Sequence, residues 1–407
     1  MKTSNKLKIF NDPIYGFITI PNSQIFDLIE HRYFQRLRRI SQMGLSHLVY
    51  PGAHHTRFQH AIGCMHLMQK AVNVLRFKGI TISEAEEKAL CSAILLHDIG
   101  HGPFSHAMEH SIVNGISHEE ISMRFMEKLN TEFNGSLTLA IQIFEGNYHR
   151  PFLCELISSQ LDMDRADYLK RDSFYTGVAE GNINSERLIT MLNVVNDKLV
   201  VEAKGIYSVE KFLVARRFMY WQVYLHKTGV VAEQLLTRVL KRAKELTNSG
   251  VTLKASDALS FFLKNEITAE NFDDHTLETF SRLDDNDIIA AMKEWQYHDD
   301  FILKHLSGMI INRDLLKIKL KNKPIKPSTL NKHIEKLMTK YGISKTDAEY
   351  FVFIDEISNQ AYQSKKQNIM ILQKTGKVVD ITKASDQFNI KALSKPVTKY
   401  YICFPKD

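Results

Sequence analysis

Apolar residues along this chain follow two rhythms, and the second dominates. Residues 7–20, LKIFNDPIYGFITI, alternate apolar and polar side chains around a proline and a glycine, which predicts a short β-hairpin. From 23 to about 43, from about 55 to 77 and from 83 to 97, apolar residues recur instead every three or four positions, the spacing of a helix with one face turned to a core. Ser83 followed by Glu86 is a helix-start signal, because each side chain can bond the other's backbone amide, and Gly100 and Gly102 mark the end of that helix. Further helices are expected from about 151 to 173 and from 209 to about 246, with VVNDKLVVE (194–202) as a small hairpin between them. Residues 247 to about 320 keep the helical rhythm but turn acidic at DDNDIIAAMKEWQYHDD, and read as a satellite helical unit. KNKPIKPSTL (321–330), with two prolines and three lysines, reads as a linker. Beyond it, NIMILQKTGKVVDIT and KYYICF are strand-like around a helical STLNKHIEKLMTKYG. The pattern therefore predicts a mainly α protein: a helical core with small β hairpins over 1–246, the satellite region over 247–320, the linker, and a small α+β lobe over 331–407. No internal repeat is visible.

Composition narrows the function classes. The formal charge of +7 over 407 residues is modest, and the basic residues are interleaved with acids, so a dedicated nucleic-acid binder is not indicated while small anionic ligands remain attractive. The four cysteines (Cys64, Cys91, Cys154 and Cys403) lie far apart with no CxxC, which fits a reducing compartment and argues against a thiolate zinc site. No apolar run reaches the ~18 residues needed to span a bilayer, and MKTSNKLKIF lacks a signal-peptide core, so a cytoplasmic protein is expected.

The chemistry concentrates in ILLHDIGHGPFSH (94–106), where a helix that buries its apolar residues ends in titratable ones. Adjacent His97 and Asp98 can share a cavity because the chain turns at Gly100. His60, in TRFQHAIG, and Asp164, in SSQLDMDRADYLKRD, lie on two other helices and could complete a set of two imidazoles and two carboxylates. Such a mixed set suits a divalent first-row ion or magnesium and leaves coordination positions for water or phosphate. Asp164, Tyr168 and Asp172 fall at i, i+4 and i+8, on one helix face. Arg57 lies one turn from His60 and could hold phosphate oxygens with its fork. His106 and Glu109 can pair at i, i+3, so that the carboxylate orients an imidazole for proton transfer, and His118 beside Glu119 offers a second such group.

The segments DPIYG, FQRLRRISQMG, YPGAHHTRFQHAIG, LLHDIGHGPFSH, SHEE, LDMDRADYLKRDS and YWQVYLHK occur in the order of the HD-domain deoxynucleoside-triphosphate triphosphohydrolases. The chain resembles their bacterial branch and is more distantly similar to the vertebrate sterile-alpha-motif HD triphosphohydrolase, over roughly residues 7 to 245 with strong motifs. The resemblance implies a single divalent ion (Mn, Mg, Fe, Ni or Zn) on His60, His97, Asp98 and Asp164. It implies phosphate contacts from Arg57, His101, Arg165 and Arg216, and catalysis by His106 and Glu109 with His118 nearby. It also implies a sugar site of Gln42, Met43, Tyr168, Asp172 and Tyr224, where packing at C2′ prefers deoxyribose. The reaction implied is attack at the α-phosphorus of a dNTP, releasing a deoxynucleoside and intact triphosphate. Homo-oligomers, dimers or tetramers, with an activating nucleotide such as dGTP between subunits, are a further implication. Asn11, Gln35, Arg38 and Lys204 match that second site, whereas Glu30, Ile9 and Glu202 depart from it. Two other readings stay open: an HD phosphomonoesterase or phosphodiesterase acting on another nucleotide, and a nucleotide or single-stranded nucleic-acid binding module.

Overall fold

In the computed structural model the described residues are 8–104, 106–109, 111–113, 115–363, 368–387 and 389–406, without the side chains of 106, 109, 389 and 391. Strands β1 (Ile9–Asp12) and β2 (Gly16–Thr19) form the expected first hairpin, with Asn11 paired to Phe17. The helix expected over 23–43 is broken into three pieces: helices Ser23–Glu30 and Arg32–Gln35, then a 3-10 turn Arg36–Arg39. The break is at His31, whose backbone is extended and whose ring accepts the Tyr33 amide, so that a histidine caps the second piece. Its consequence is that Gln42 and Met43 sit on a loop, anchored where Ser41 bridges Thr56.

The two helices that carry the motifs form as the capping signals require. Helix Arg57–Phe77 starts from a capping box of Thr56 with Gln59, and Glu84–Leu96 from Ser83 with Glu86. Residues Leu90 to Leu96 are wholly buried, which fixes the direction in which His97 and Asp98 leave the helix. Gly100 allows the next close approach: a Cβ there would lie 2.3 Å from His118 O and Ser122 N, in the first turns of helix His118–Glu132. Ser122 completes the junction by donating to His97 O and accepting from Gly100 N, at 2.8 and 2.9 Å.

Two more expected helices are interrupted. The one placed at 151–173 is Pro151–Ile157 followed by Met163–Thr176. Ser158 is extended, and Asp162 uses one oxygen for the Arg165 amide and the other for the Ser159 amide, both at 2.8 Å, so the second helix begins just before Asp164. The one placed at 209–246 is Ile206–Met219, a π-helical turn Tyr220–Tyr224, and Lys227–Asn248. The bond from Leu225 N to Tyr220 O at 2.7 Å widens the chain there, and extended His226 restarts it.

The helices Asp257–Lys264, Asp274–Phe280, Asp285–Trp295 and Phe301–Ile311, in the region expected as a satellite unit, pack against the core, chiefly on helix Lys227–Asn248, and Arg36 is one buried tie between the two. This arginine is wholly buried; it donates to Ile99 O at 2.8 Å and Leu283 O at 3.2 Å, and lies 5.1 and 5.7 Å from the Phe280 and Phe125 rings. Burial pulls its pKa down to about 9. Asp285 adds a second tie, accepting from Ser41 N at 2.8 Å and Phe104 N at 3.1 Å. Arg36→Ala would leave a cavity and two buried carbonyls without donors, so a loss of about 2–5 kcal/mol is expected in urea denaturation. A shift under about 0.5 kcal/mol, the range of ordinary surface substitutions, would show that Arg36 does not hold the two units together.

The remaining strands are β3 (Leu192–Val195), β4 (Lys198–Glu202), β5 (Lys317–Lys321), β6 (Phe353–Asn359), β7 (Met370–Leu372), β8 (Val378–Asp380) and β9 (Val397–Phe404). The hairpin β3–β4 extends into a sheet of order β3-β4-β7-β8, with β4 parallel to β7 at Val201 and Ile371. The other sheet has the order β5-β9-β6. Of residues 321–330, read as a linker, Lys321 ends β5, 322–326 make the connection, and Pro327 opens helix Pro327–Tyr341 at the first helical position, where its missing N–H costs nothing. Among the described residues no helix is long and apolar enough to cross a membrane.

Candidate active site

His60, His97, Asp98 and Asp164 meet where three helices converge. His60 Nε2 lies 3.2 Å from Asp164 Oδ1 and 3.8 Å from Asp98 Oδ2; His97 Nε2 lies 3.4 Å from Asp98 Oδ1 and 3.7 Å from Asp164 Oδ1. Both imidazoles are oriented from behind. His60 Nδ1 faces Asp167 Oδ2 at 2.8 Å, and His97 Nδ1 faces Ile94 O at 2.6 Å, so each ring carries its proton on Nδ1 and turns Nε2 inward.

This donor set fits a divalent cation on two observations. His97 Nε2 is buried and has no hydrogen-bond partner among the described residues. Burial alone would push both imidazoles down, yet Cys64, Asp164 and Asp167 around His60, and Asp98 and Asp164 around His97, draw them upward. The positive charge these carboxylates favour is the charge a cation would supply. Burial works against the carboxylates too, and His97, His101 and Arg57 nevertheless hold Asp98 well below the usual range. By mutual distance the potential ligands fall into two groups: His60, His97 and Asp164 with Cys64, whose Sγ lies 3.5 Å from His60 Nδ1, and Asp98 with His101 and His118.

A cavity of about 520 Å³ opens beside the cluster. Of the residues singled out in the sequence, Gln42, Met43, Arg57, Asp98, His101, His118, Asp164, Arg165, Tyr168, Asp172 and Tyr224 line it. Arg57 pairs with Asp98, and Arg165 with Asp162. His101 Nε2 is 3.3 Å from Asp98, its ring stacks on His118 at 3.8 Å, and burial together with Arg57 pushes its pKa down to about 3. At the aromatic part, Asp172 accepts from Tyr224 Oη at 2.7 Å and contacts His55 Nε2 at 2.7 Å, and the rings of Tyr168 and Tyr224 meet edge-on at 6.0 Å. The π-turn brings Tyr220 and Tyr224 to one wall.

Other sequence candidates lie elsewhere. Arg216 is not among the residues that line the cavity; it is buried under Tyr220, 5.9 Å from the ring, and its Nε and Nη1 have no hydrogen-bond partner among the described residues. His106 and Glu109 occupy a short helix, but their side chains lie outside the described residues, so the pairing expected of them does too. His118 contacts Glu119 at 3.3 Å. Arg38 donates to Gln35 Oε1 at 2.8 Å and covers the Phe58 ring at 3.6 Å; Asn11 is exposed on β1, and Lys204 is exposed in the turn after β4. Sequence reasoning missed His55, which holds Asp172; Asp167 and Arg171, which stand behind His60; and Tyr220. In AHHTRF and ADYLKRD the first three have the look of ordinary surface polar groups, and Tyr220 is one aromatic among several in YWQVY.

A model of the HD domain matches residues 57–172, and one of the HD-associated region matches 183–266. The uncharacterized protein YwfO of Bacillus subtilis is 32% identical to this chain, covering 98% of it and 92% of YwfO. The chain belongs to the HD-domain phosphohydrolase family. A crystal structure of a phosphohydrolase from Bacteroides thetaiotaomicron has 51% identity and a TM-score of 0.96, covering 98% of this chain and 100% of that one. The deoxynucleoside triphosphate triphosphohydrolase SAMHD1 homolog of Dictyostelium discoideum is 32% identical over 62% of this chain, and the match spans 51% of that protein.

Proposed function

We propose that the protein hydrolyses deoxynucleoside triphosphates to deoxynucleoside and inorganic triphosphate, with one divalent cation held by His60, His97, Asp98 and Asp164. The observation that carries this reading is one cavity that joins two kinds of chemistry: Arg57, His101 and Arg165 beside the acidic cluster, and Gln42, Met43, Tyr168, Asp172 and Tyr224 in a space of nucleoside size. The triphosphohydrolase activity named for the Dictyostelium relative supports it.

When bound, a divalent ion lowers the pKa of coordinated water and polarises a phosphoryl oxygen. Arg57 and Arg165 would neutralise the polyphosphate, with Arg216, buried under Tyr220, as further positive charge. His101, kept neutral by burial and Arg57, turns its Nε2 to Asp98 and lines the phosphate end of the cavity without adding charge. Asp172, fixed on one oxygen by His55 and on the other by Tyr224, is set to accept the 3′-hydroxyl. His106 with Glu109, and His118, are the groups assigned to move the proton to the departing 5′-oxygen. The same reading includes a homo-oligomer in the cytoplasm and an activating nucleotide such as dGTP at Asn11, Gln35, Arg38 and Lys204.

Product chromatography tests the reaction. Each dNTP and rNTP is incubated with Mn²⁺ or Mg²⁺, with and without a second nucleotide. Deoxynucleoside and tripolyphosphate in equal amounts are the expected products. Release of orthophosphate or pyrophosphate would overturn the reading in favour of another HD phosphohydrolase activity.

A further inference from the structure

A chain of buried charge runs from His60 to the first hairpin. His60 Nδ1 meets Asp167 Oδ2 at 2.8 Å, and the Arg171 fork grips Asp167 through Nε at 2.9 Å and Nη2 at 3.0 Å. The remaining nitrogen, Nη1, donates to Asp12 Oδ2 at 2.8 Å. Asp167 and Arg171 are wholly buried, and the Asp12 side chain is 5% exposed. Gly63 makes room for the pair: a Cβ there would stand 2.1 Å from Asp167 Oδ1 and 2.3 Å from Arg171 Nη2, so the fork seats against bare helix backbone one turn from His60. The second oxygen of Asp12 accepts the amides of Ile14 and Tyr15 at 2.8 and 3.0 Å, closing the turn between β1 and β2.

We propose that Asp12 is a positioning residue for His60: through Arg171 and Asp167, the hairpin sets the orientation and cation affinity of a ligand it never touches. This rests on the reading of His60 as a metal ligand. A planar guanidinium shared by two carboxylates has a single orientation, and it divides its attraction between them. Without the Asp12 charge, Arg171 draws on Asp167 alone, which leaves that carboxylate a poorer acceptor for the His60 N–H and lets the fork tilt. Groups behind a ligand that orient it typically change metal affinity 10- to 100-fold when lost.

The test is equilibrium dialysis of metal-stripped protein against Mn²⁺, with urea denaturation of the same samples. Asp12→Asn keeps an oxygen for the turn amides but not the charge for Arg171, and its Mn²⁺ dissociation constant is expected to rise about tenfold. Asp12→Glu, which restores the charge, should recover affinity to within about threefold even where stability is lowered, a result that a purely structural role would not give. Thr19→Ala, on the same hairpin but outside the charge chain, should bind like wild type. Adding Asp12→Asn to Asp167→Asn should cost less than about twofold more, because the path is already cut. A wild-type dissociation constant in Asp12→Asn, or a fully additive double variant, overturns the proposal and leaves the metal reading intact. A wild-type protein that takes up no Mn²⁺ overturns both.

Discussion

Asp98→Ala is expected to abolish turnover and metal content together, lowering kcat/KM by at least about a thousandfold. Asp98 stands at the centre of the positive groups: Oδ1 lies 3.4 Å from His97 and 3.3 Å from His101, while Oδ2 meets Arg57 and stands 3.8 Å from His60. Its charge is held by those neighbours despite burial, so removing it deletes a ligand and takes from the buried Arg57 guanidinium the carboxylate it pairs with. The Arg57 charge would then oppose any cation that the other three ligands could still attract. Metal analysis and single-turnover hydrolysis on purified, folded variant check this. Stoichiometric metal with retained turnover would show that Asp98 is not a ligand.

Discrimination between sugars should be the second large effect. Met43 and Tyr224 line the cavity beside Asp172, and neither the thioether nor the ring face offers an added 2′-hydroxyl a good partner. A buried hydroxyl without a partner costs about 1–3 kcal/mol, so dGTP should be preferred to GTP by roughly ten- to a hundredfold in kcat/KM, and misplacement of the α-phosphorus adds to this. Tyr224→Ala is expected to narrow the gap while leaving bound metal unchanged. It should also slow dGTP itself, since Tyr224 Oη holds Asp172. Asp172→Ala should weaken both sugars alike, because both carry the 3′-hydroxyl. Equal kcat/KM for dGTP and GTP in the unaltered protein would remove the sugar-site reading.

Much of the scaffold was legible in local signals. The capping box at Ser83 and the alternation around Asp12–Gly16 each settle a boundary within a few residues. The three-residue face of Asp164, Tyr168 and Asp172 was readable from spacing and does line one cavity. What escaped was punctuation by residues that do not break helices on their own. His31 and His226 cap with a ring nitrogen, and Asp162 caps from inside a polar run, so periodicity continues through all three interruptions. The charged groups behind the site escaped for a different reason. Asp167 and Arg171 at i, i+4 resemble a solvated surface pair, and the room for them in the interior comes from another helix, where Gly63 has no side chain. His55 was hidden likewise, because its partner Asp172 is 117 residues away.

Strand β9 is the middle of its sheet yet the last of its three strands to be synthesised. Until it leaves the ribosome, β5 and β6 have no partner to join them, and Ile318 and Phe353 lack the Cys403 that both will pair with. Unjoined strand edges in a nascent chain recruit other chains, and the wait lasts from the end of β5 at Lys321 to the start of β9 at Val397. The alternation of lysine in β5, at 317, 319 and 321, answers that hazard: each waiting copy carries a row of positive charge that repels its neighbours until Phe404, Ile402 and Tyr400 arrive opposite.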